Sequence, residues 1–219
     1  MVTDASTHEP PGGLTAQDLE RLALLPAEPP GQRIDHAIAM AREVLGMDLG
    51  YVTEFVGSEQ IYRAVSGDGA SFEVAAGDGN PLDGSYCERM IAGTIPTIVP
   101  NTAENAELRD LAATRIGSVG AYVGVPIVLS DGSLYGSMCA VSHKAQTALG
   151  ERHLRIIEML SKIVASGIEQ ERLERENDRL RTQIIDISDQ LDEAEEDRRV
   201  SKIMLSGEFT KVSPPADGG

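Results

Sequence analysis

Gly120-Ala-Tyr-Val-Gly-Val-Pro-Ile-Val-Leu129 and Leu134-Tyr-Gly-Ser-Met-Cys-Ala-Val-Ser-His143, joined across Asp131-Gly132, are the stretch that decides the fold. Apolar residues alternate along both runs, the period of a strand with one face in a core. Asp-Gly between two such runs is a strong hairpin signal, because both central residues of a type I′ turn take positive φ. Pairing Ser130 with Ser133 predicts Leu129 opposite Leu134, Ile127 opposite Gly136, Val125 opposite Met138 and Val123 opposite Ala140, all on one face. The other face then carries Tyr122, Gly124, Pro126 and Val128 beside Tyr135, Ser137, Cys139, Val141 and His143. That set is polar and sulfur-bearing, with gaps at glycine and proline. It walls a cavity, or else it is the half-exposed side of an ordinary antiparallel sheet. Pro126 donates no ladder hydrogen bond and marks an edge or a bulge.

Working outward toward the N-terminus, Thr15 to Leu25 has a capping residue and helical spacing, and Pro26 to Gly31 stops it. Ile34, Ala37, Ile38, Ala41, Val44 and Leu45 form one stripe of a second helix that ends at Gly46. Leu49–Val56 and Gln60–Val65 read as a hairpin, and Ser71–Ala75 as a shorter third strand. Ser85, with Glu88 three residues on, starts a short helix through Ile91. Thr97–Val99 reads as a short strand and Glu107–Thr114 as a short helix. The two halves of the sheet are therefore joined by a long excursion, the kind of segment on which binding residues concentrate.

Toward the C-terminus, Gly150 to about Arg199 contains no proline and one glycine, Gly167, which predicts a helix on the order of 45 residues. Leu160, Val164 and Ile168 are expected to face the sheet. Farther on, Leu173, Asn177, Leu180, Ile184, Ile187 and Leu191 recur at alternating spacings of four and three, an a/d heptad seam with Asn177 at an a position. Two such asparagines hydrogen-bond only when parallel helices are in register, so the seam predicts a homodimer. Ile187 at a d position suits a dimer less well than leucine and leaves higher order open. The resulting division is a disordered tail over 1–13, a globular α+β domain over 14–170, a coiled-coil helix over 171–200 and a flexible tail over 201–219.

The 219 residues carry 35 acidic and 19 basic side chains, a formal charge of −16. Phosphate backbones are bound by clustered Lys and Arg, so nucleic acid and anionic membrane surfaces are not expected partners. No apolar run is long enough to span a membrane, and Met1 to Pro10 lacks the features of a secretory leader. Two cysteines in a chain this long fit a reducing compartment, so the expected location is the cytoplasm.

Four segments carry a more specific likeness: Tyr86-Cys-Glu-Arg-Met, Ile98-Val-Pro-Asn-Thr, Ile116-Gly-Ser-Val-Gly-Ala-Tyr-Val-Gly-Val-Pro-Ile and Leu129-Ser-Asp-Gly-Ser-Leu-Tyr-Gly-Ser-Met-Cys. Together with the helix-flanked sheet and long exit helix, they make residues 18–170 resemble the GAF sensor modules of bacterial signalling proteins. The resemblance implies a GAF-like antiparallel sheet flanked by helices. It also implies a small-molecule cavity lined by Tyr86, Cys87, Met90, Asn101, Thr102, Tyr122, Cys139 and Val141. Such modules bind cyclic nucleotides, tetrapyrroles, haem or metabolites, or only a twin domain, so the resemblance names no cofactor. The segment after Arg199 is too short for a kinase, cyclase or phosphodiesterase, so an output through the dimer or a separate signalling protein is expected.

Cys87 and Cys139 are the sharpest chemical candidates, and a redox pair would require their Cα atoms to lie within about 7 Å. The default for each is an inert buried thiol. GAF-type free methionine sulfoxide reductases carry a further cysteine at the place corresponding to Ser118–Tyr122, where this chain has none. A thiol enzyme is therefore disfavoured, and no catalytic residue is assigned. The region Leu108–Gly120 likewise lacks the cysteine to which a bilin would attach. Cys87, Cys139 and His143 are too few and too scattered for a zinc site. Of the remaining histidines, His8, His36 and His153 show no ligand pattern. The expectation is a sensor that reports a bound small molecule through its coiled coil, and the alternative is a ligandless dimerisation module that docks a partner protein.

Overall fold

A computed structural model of the chain describes residues 14–206. The tails predicted over 1–13 and beyond 206 lie outside those residues, whereas 201–206, expected in a flexible tail, are helical. Two compact units are present, one up to Glu171 and one from Arg172 onward.

The first unit opens with α1 (Ala16–Leu24), whose cap is a reciprocal pair: Thr15 Oγ1 accepts from the Asp18 N–H, and the Asp18 carboxylate accepts from the Thr15 N–H. Helix α2 (Pro30–Leu45) begins four residues earlier than its apolar stripe suggests, because proline is well placed in a first helical turn, where its missing N–H would have no partner. Six antiparallel strands follow: β1 (Leu49–Val56), β2 (Glu59–Gly67), β3 (Gly79–Pro81), β4 (Ile98–Val99), β5 (Ala121–Val128) and β6 (Leu134–Ser142). Their spatial order is β3-β2-β1-β6-β5-β4, so β1 and β6 meet at the centre of one sheet.

Between β2 and β6 run α3 (Tyr86–Ile91) and α4 (Ala112–Ile116). The strand expected over Ser71–Ala75 is instead a 3-10 turn at Ala70–Phe72, because the Asp68 carboxylate takes the Ser71 N–H and Glu73 adopts a left-handed φ of 55°. The third strand forms later, at Gly79–Pro81. The helix expected over Glu107–Thr114 starts only at Ala112: residues 106–110 form turns, and α4 runs on to Ile116.

In the β5–β6 hairpin, Ile127 faces Gly136, Val125 faces Met138 and Val123 faces Ala140, as the alternation predicts. The turn differs. Only Gly132 takes a positive φ, at 83°; the Gly132 N–H donates to the Leu129 carbonyl and the Leu129 N–H to that of Ser133. This is a three-residue loop closed by a left-handed glycine, not a two-residue type I′ turn. It places Val128 opposite Leu134, and the register is restored one step later by leaving Tyr135 unpaired. A bulged residue is re-aimed. Tyr135, expected on the cavity side, accordingly packs into the other cluster.

That other cluster is the main core: Val123, Val125, Ile127, Met138 and Ala140 on the sheet against Ile38 and Ala41 of α2 and Ile157, Leu160, Val164 and Ile168 of the exit helix α5 (Glu151–Ser206). Each of the Val, Ile, Leu and Met side chains here, fully buried, contributes about 1.5–3 kcal/mol of transfer free energy. A second cluster, on the opposite sheet face, gathers Tyr51, Tyr62, Phe72, Tyr86, Cys87, Met90, Tyr122, Cys139 and Val141 beneath α3 and the excursion.

Candidate functional site

The second face holds a cavity of about 450 Å³. Its floor comes from the sheet: Leu49 and Tyr51 on β1, Gln60 and Tyr62 on β2, and Val141 on β6. Tyr51 and Tyr62 meet edge to face, with ring centroids 5.2 Å apart at 71°. That arrangement sets the positive edge of one ring on the negative face of the other. Burial pushes the Tyr62 hydroxyl up to about 12 and the Tyr51 hydroxyl well above its ordinary range, so both remain neutral donors at physiological pH.

The walls are fixed by short-range chemistry. Ser85 Oγ accepts from the Glu88 N–H at 3.0 Å, and the Glu88 carboxylate accepts from the Gly84 N–H at 2.7 Å. This cap starts α3 so that Tyr86 and Cys87, in its first turn, point at the sheet. On the far side Phe72 stacks on the His143 ring at 3.9 Å and 3°. His143 Nδ1–H donates to the Ser118 carbonyl at 3.1 Å, and its Nε2 lies 2.9 Å from Ser71 Oγ. The histidine thus ties together two loops bordering the cavity, a role its place at a strand end did not announce. Glu73, Asp78 and Asp83 stand exposed around the cavity, and among the described residues no Lys, Arg or His lines it. Gln60 is 3% exposed, and its Oε1 has no hydrogen-bond partner.

Of the eight residues expected to line a cavity, Tyr86, Cys87 and Val141 do so. Met90, Tyr122 and Cys139 are buried in the same cluster without lining it. Asn101 borders a separate surface depression and caps the turn that follows, its Oδ1 accepting from the Ala103 N–H. Thr102 is buried with its hydroxyl donating to the Val119 carbonyl, a structural bond. The sequence reading missed Tyr51, Gln60, Tyr62 and Phe72. Tyr51 and Tyr62 were visible as aromatics in the first hairpin, but nothing local to that hairpin says that α3 and the 70–84 segment arch over it.

Just inside the cavity wall the sulfur atoms meet. Cys87 Sγ and Cys139 Sγ are 3.6 Å apart, both residues 1% exposed. Cys139 Sγ also contacts Ser137 Oγ at 3.3 Å and Tyr122 Oη at 3.4 Å, and Ser137 Oγ lies 2.9 Å from Thr53 Oγ1. The hydrogen bond from Cys139 holds the Cys87 thiol below its ordinary value, while burial pushes the Cys139 thiol well above. Among the described residues no group of three or more His, Cys, Asp or Glu side chains is placed to hold a metal, and no helix is long and apolar enough to cross a membrane.

A six-stranded antiparallel sheet with core helices on one face and a capped short helix over a cavity on the other is the plan of a GAF domain. The chain belongs to the GAF domain family, whose model matches residues 28–169. It is similar in fold to the GAF domain of an Acinetobacter phosphoenolpyruvate-protein phosphotransferase, at 11% identity and TM-score 0.55, covering 71% of this chain and 95% of that one. It is also similar to the phycocyanobilin-bound GAF domain of a cyanobacterial phytochrome, at 18% identity and TM-score 0.57, covering 71% and 96%. A third similar structure is a bacteriophytochrome from the photosynthetic bacterium R. palustris, at 15% identity and TM-score 0.56, covering 77% of this chain and 41% of that one. These likenesses concern the fold. Comparison with curated proteins found no match.

Proposed function

We propose that this chain is a sensor that takes a small, flat, neutral or cationic molecule into the second-face cavity and reports its presence through a parallel coiled-coil dimer. The observation that carries the reading is the chemistry of the lining: aromatic walls, the buried unpartnered Gln60 Oε1, carboxylates around the cavity, and no cationic side chain among the described residues. A buried acceptor without a donor costs about 1–3 kcal/mol, which a ligand N–H would relieve. Aromatic faces add attraction for a cation. Phosphate or carboxylate ligands would instead call for Arg or Lys in the lining. The same lining favours an occupied cavity over a ligandless dimerisation module.

Support for the output comes from the second unit, where Leu173, Leu180, Ile184, Ile187 and Leu191 are left 48–71% exposed along one heptad seam. A narrow apolar seam of this kind is covered when a second helix packs on it. The test is a matched series of one ring and three charges: tryptamine, indole and indole-3-acetate, read by thermal shift and calorimetry on the whole chain. Binding is expected in the order amine, neutral ring, acid. Tightest binding of the acid refutes the charge assignment, and no binding of any of the three speaks for the ligandless module.

A further inference from the structure

We infer that Cys87 and Cys139 form an oxidisable dithiol, closed to a disulfide by a hydroperoxide small enough to enter the cavity. The two sulfurs come from different elements, α3 and β6, 52 residues apart in sequence, yet lie 3.6 Å from each other. A disulfide needs about 2.05 Å, so the two sulfurs, already in contact, have about 1.5 Å left to close. Their places are unequal. Cys87 lines the cavity and Cys139 does not, so a reactant arriving through the cavity meets Cys87 first. Behind Cys139 stand the hydroxyls of Ser137 and Tyr122 at 3.3 and 3.4 Å, the Cys139 thiol donating to Ser137 Oγ.

The chemistry follows from that order. Cys87, as the thiolate, attacks the distal peroxide oxygen; the S–O bond forms, the O–O bond breaks, and the alkoxide or hydroxide released takes a proton and leaves as alcohol or water. Cys139 then attacks Cys87 Sγ, the S–S bond forms, the S–O bond breaks, and hydroxide departs with the Cys139 proton as water. Two thiols lose two electrons and two protons, and one peroxide is reduced. An external dithiol reverses the step by exchange. The depressed Cys87 and elevated Cys139 thiols agree with these roles, since the thiolate is the nucleophile. None of this depends on what else the cavity binds, and an empty cavity admits peroxide equally.

The test uses the whole chain, reduced with dithiothreitol, freed of it, and treated with hydrogen peroxide while folded. Expected is a loss of two hydrogens in the intact mass, a fall from the two free thiols to none, and a tryptic peptide joining Cys87 to Cys139, all reversed by dithiothreitol. Cys139→Ser should stop at a sulfenic acid on Cys87 that dimedone captures, and Cys87→Ser should consume peroxide no faster than free cysteine. Retention of both thiols under peroxide that oxidises free cysteine overturns the inference, as does an interchain cross-link or oxygen added first to Cys139. Peptide mapping of the unsubstituted chain decides the matter if either variant fails to fold. Indole-series binding with no disulfide would leave the sensor reading standing and remove this one, and the converse result would do the opposite.

Discussion

Gly124→Ala is the most informative single perturbation of this site. Gly124 and Tyr122 lie on the same face of β5, and the tyrosine side chain runs along the strand over the glycine to reach Cys139. A methyl group placed at Gly124 would sit 2.0 Å from Tyr122 Oη, 2.5 Å from its Cζ and 3.1 Å from Cys139 Sγ. The ring has little room to yield: Tyr122 is fully buried, with the Tyr86 ring 4.9 Å away and Cys139 Sγ 3.4 Å from its hydroxyl. Overpacking of a filled core costs about 1–3 kcal/mol. Alanine's lower backbone entropy in a strand opposes this by about 0.5–1 kcal/mol. The net expectation is a destabilisation of about 1 kcal/mol, and for a domain of this size each kcal/mol lowers the melting point by about 2–4 °C. Thermal and urea unfolding would measure it. A double-mutant cycle with Tyr122→Leu isolates the cause, because a side chain that stops short of Gly124 leaves room for the methyl group. A coupling of about 2 kcal/mol is expected, and simple additivity within about 0.5 kcal/mol would refute the steric account.

The remaining predictions concern acid stability and assembly. Asp48 accepts from Ser142 Oγ at 2.8 Å and from the His143 N–H at 2.9 Å; burial pushes its carboxyl up, but these bonds outweigh that and hold it below the usual range. A folded-state value lower than the unfolded one, about 3.9, gives stability that is present above that pH and lost as pH falls through the folded value. Melting points of the wild type should therefore drop more steeply below about pH 5 than those of Asp48→Asn, and parallel curves would remove Asp48 as the cause. In the second unit, Leu180→Lys or Asn177→Lys should convert a dimer to a monomer in sedimentation velocity, since either puts lysines into the apolar seam. An unchanged sedimentation coefficient would refute the seam.

What could be read from the sequence, and what could not, divides by the range over which the information acts. The strands of the central hairpin, the Thr15 and Ser85 caps, and the buried stripe of the exit helix rest on contacts within a few residues or on a strict period, and they appear where expected. The hairpin turn failed at one residue: Asp-Gly fits both a two-residue and a three-residue loop, and the choice is made by whether Asp131 accepts a positive φ, which here it does not. Because a bulge at Tyr135 absorbs the difference, the rest of the register came out right for a reason the pattern alone did not contain. The cavity was harder. Its floor joins β1 and β2 to β6, and its walls come from Phe72 and Tyr86, brought in by a 3-10 turn and a capped helix that lie outside the floor strands. The long excursion pointed to the right face, which is why Tyr86, Cys87 and Val141 were found. It does not say how deep each residue on that face lies. Tyr122 and Cys139 share the polarity pattern of cavity residues but sit one layer below them. That depth changes their chemistry: at the surface of the cavity Cys139 would be one more contact for a ligand, whereas beneath Cys87 it is the group positioned to receive an oxidation that begins there.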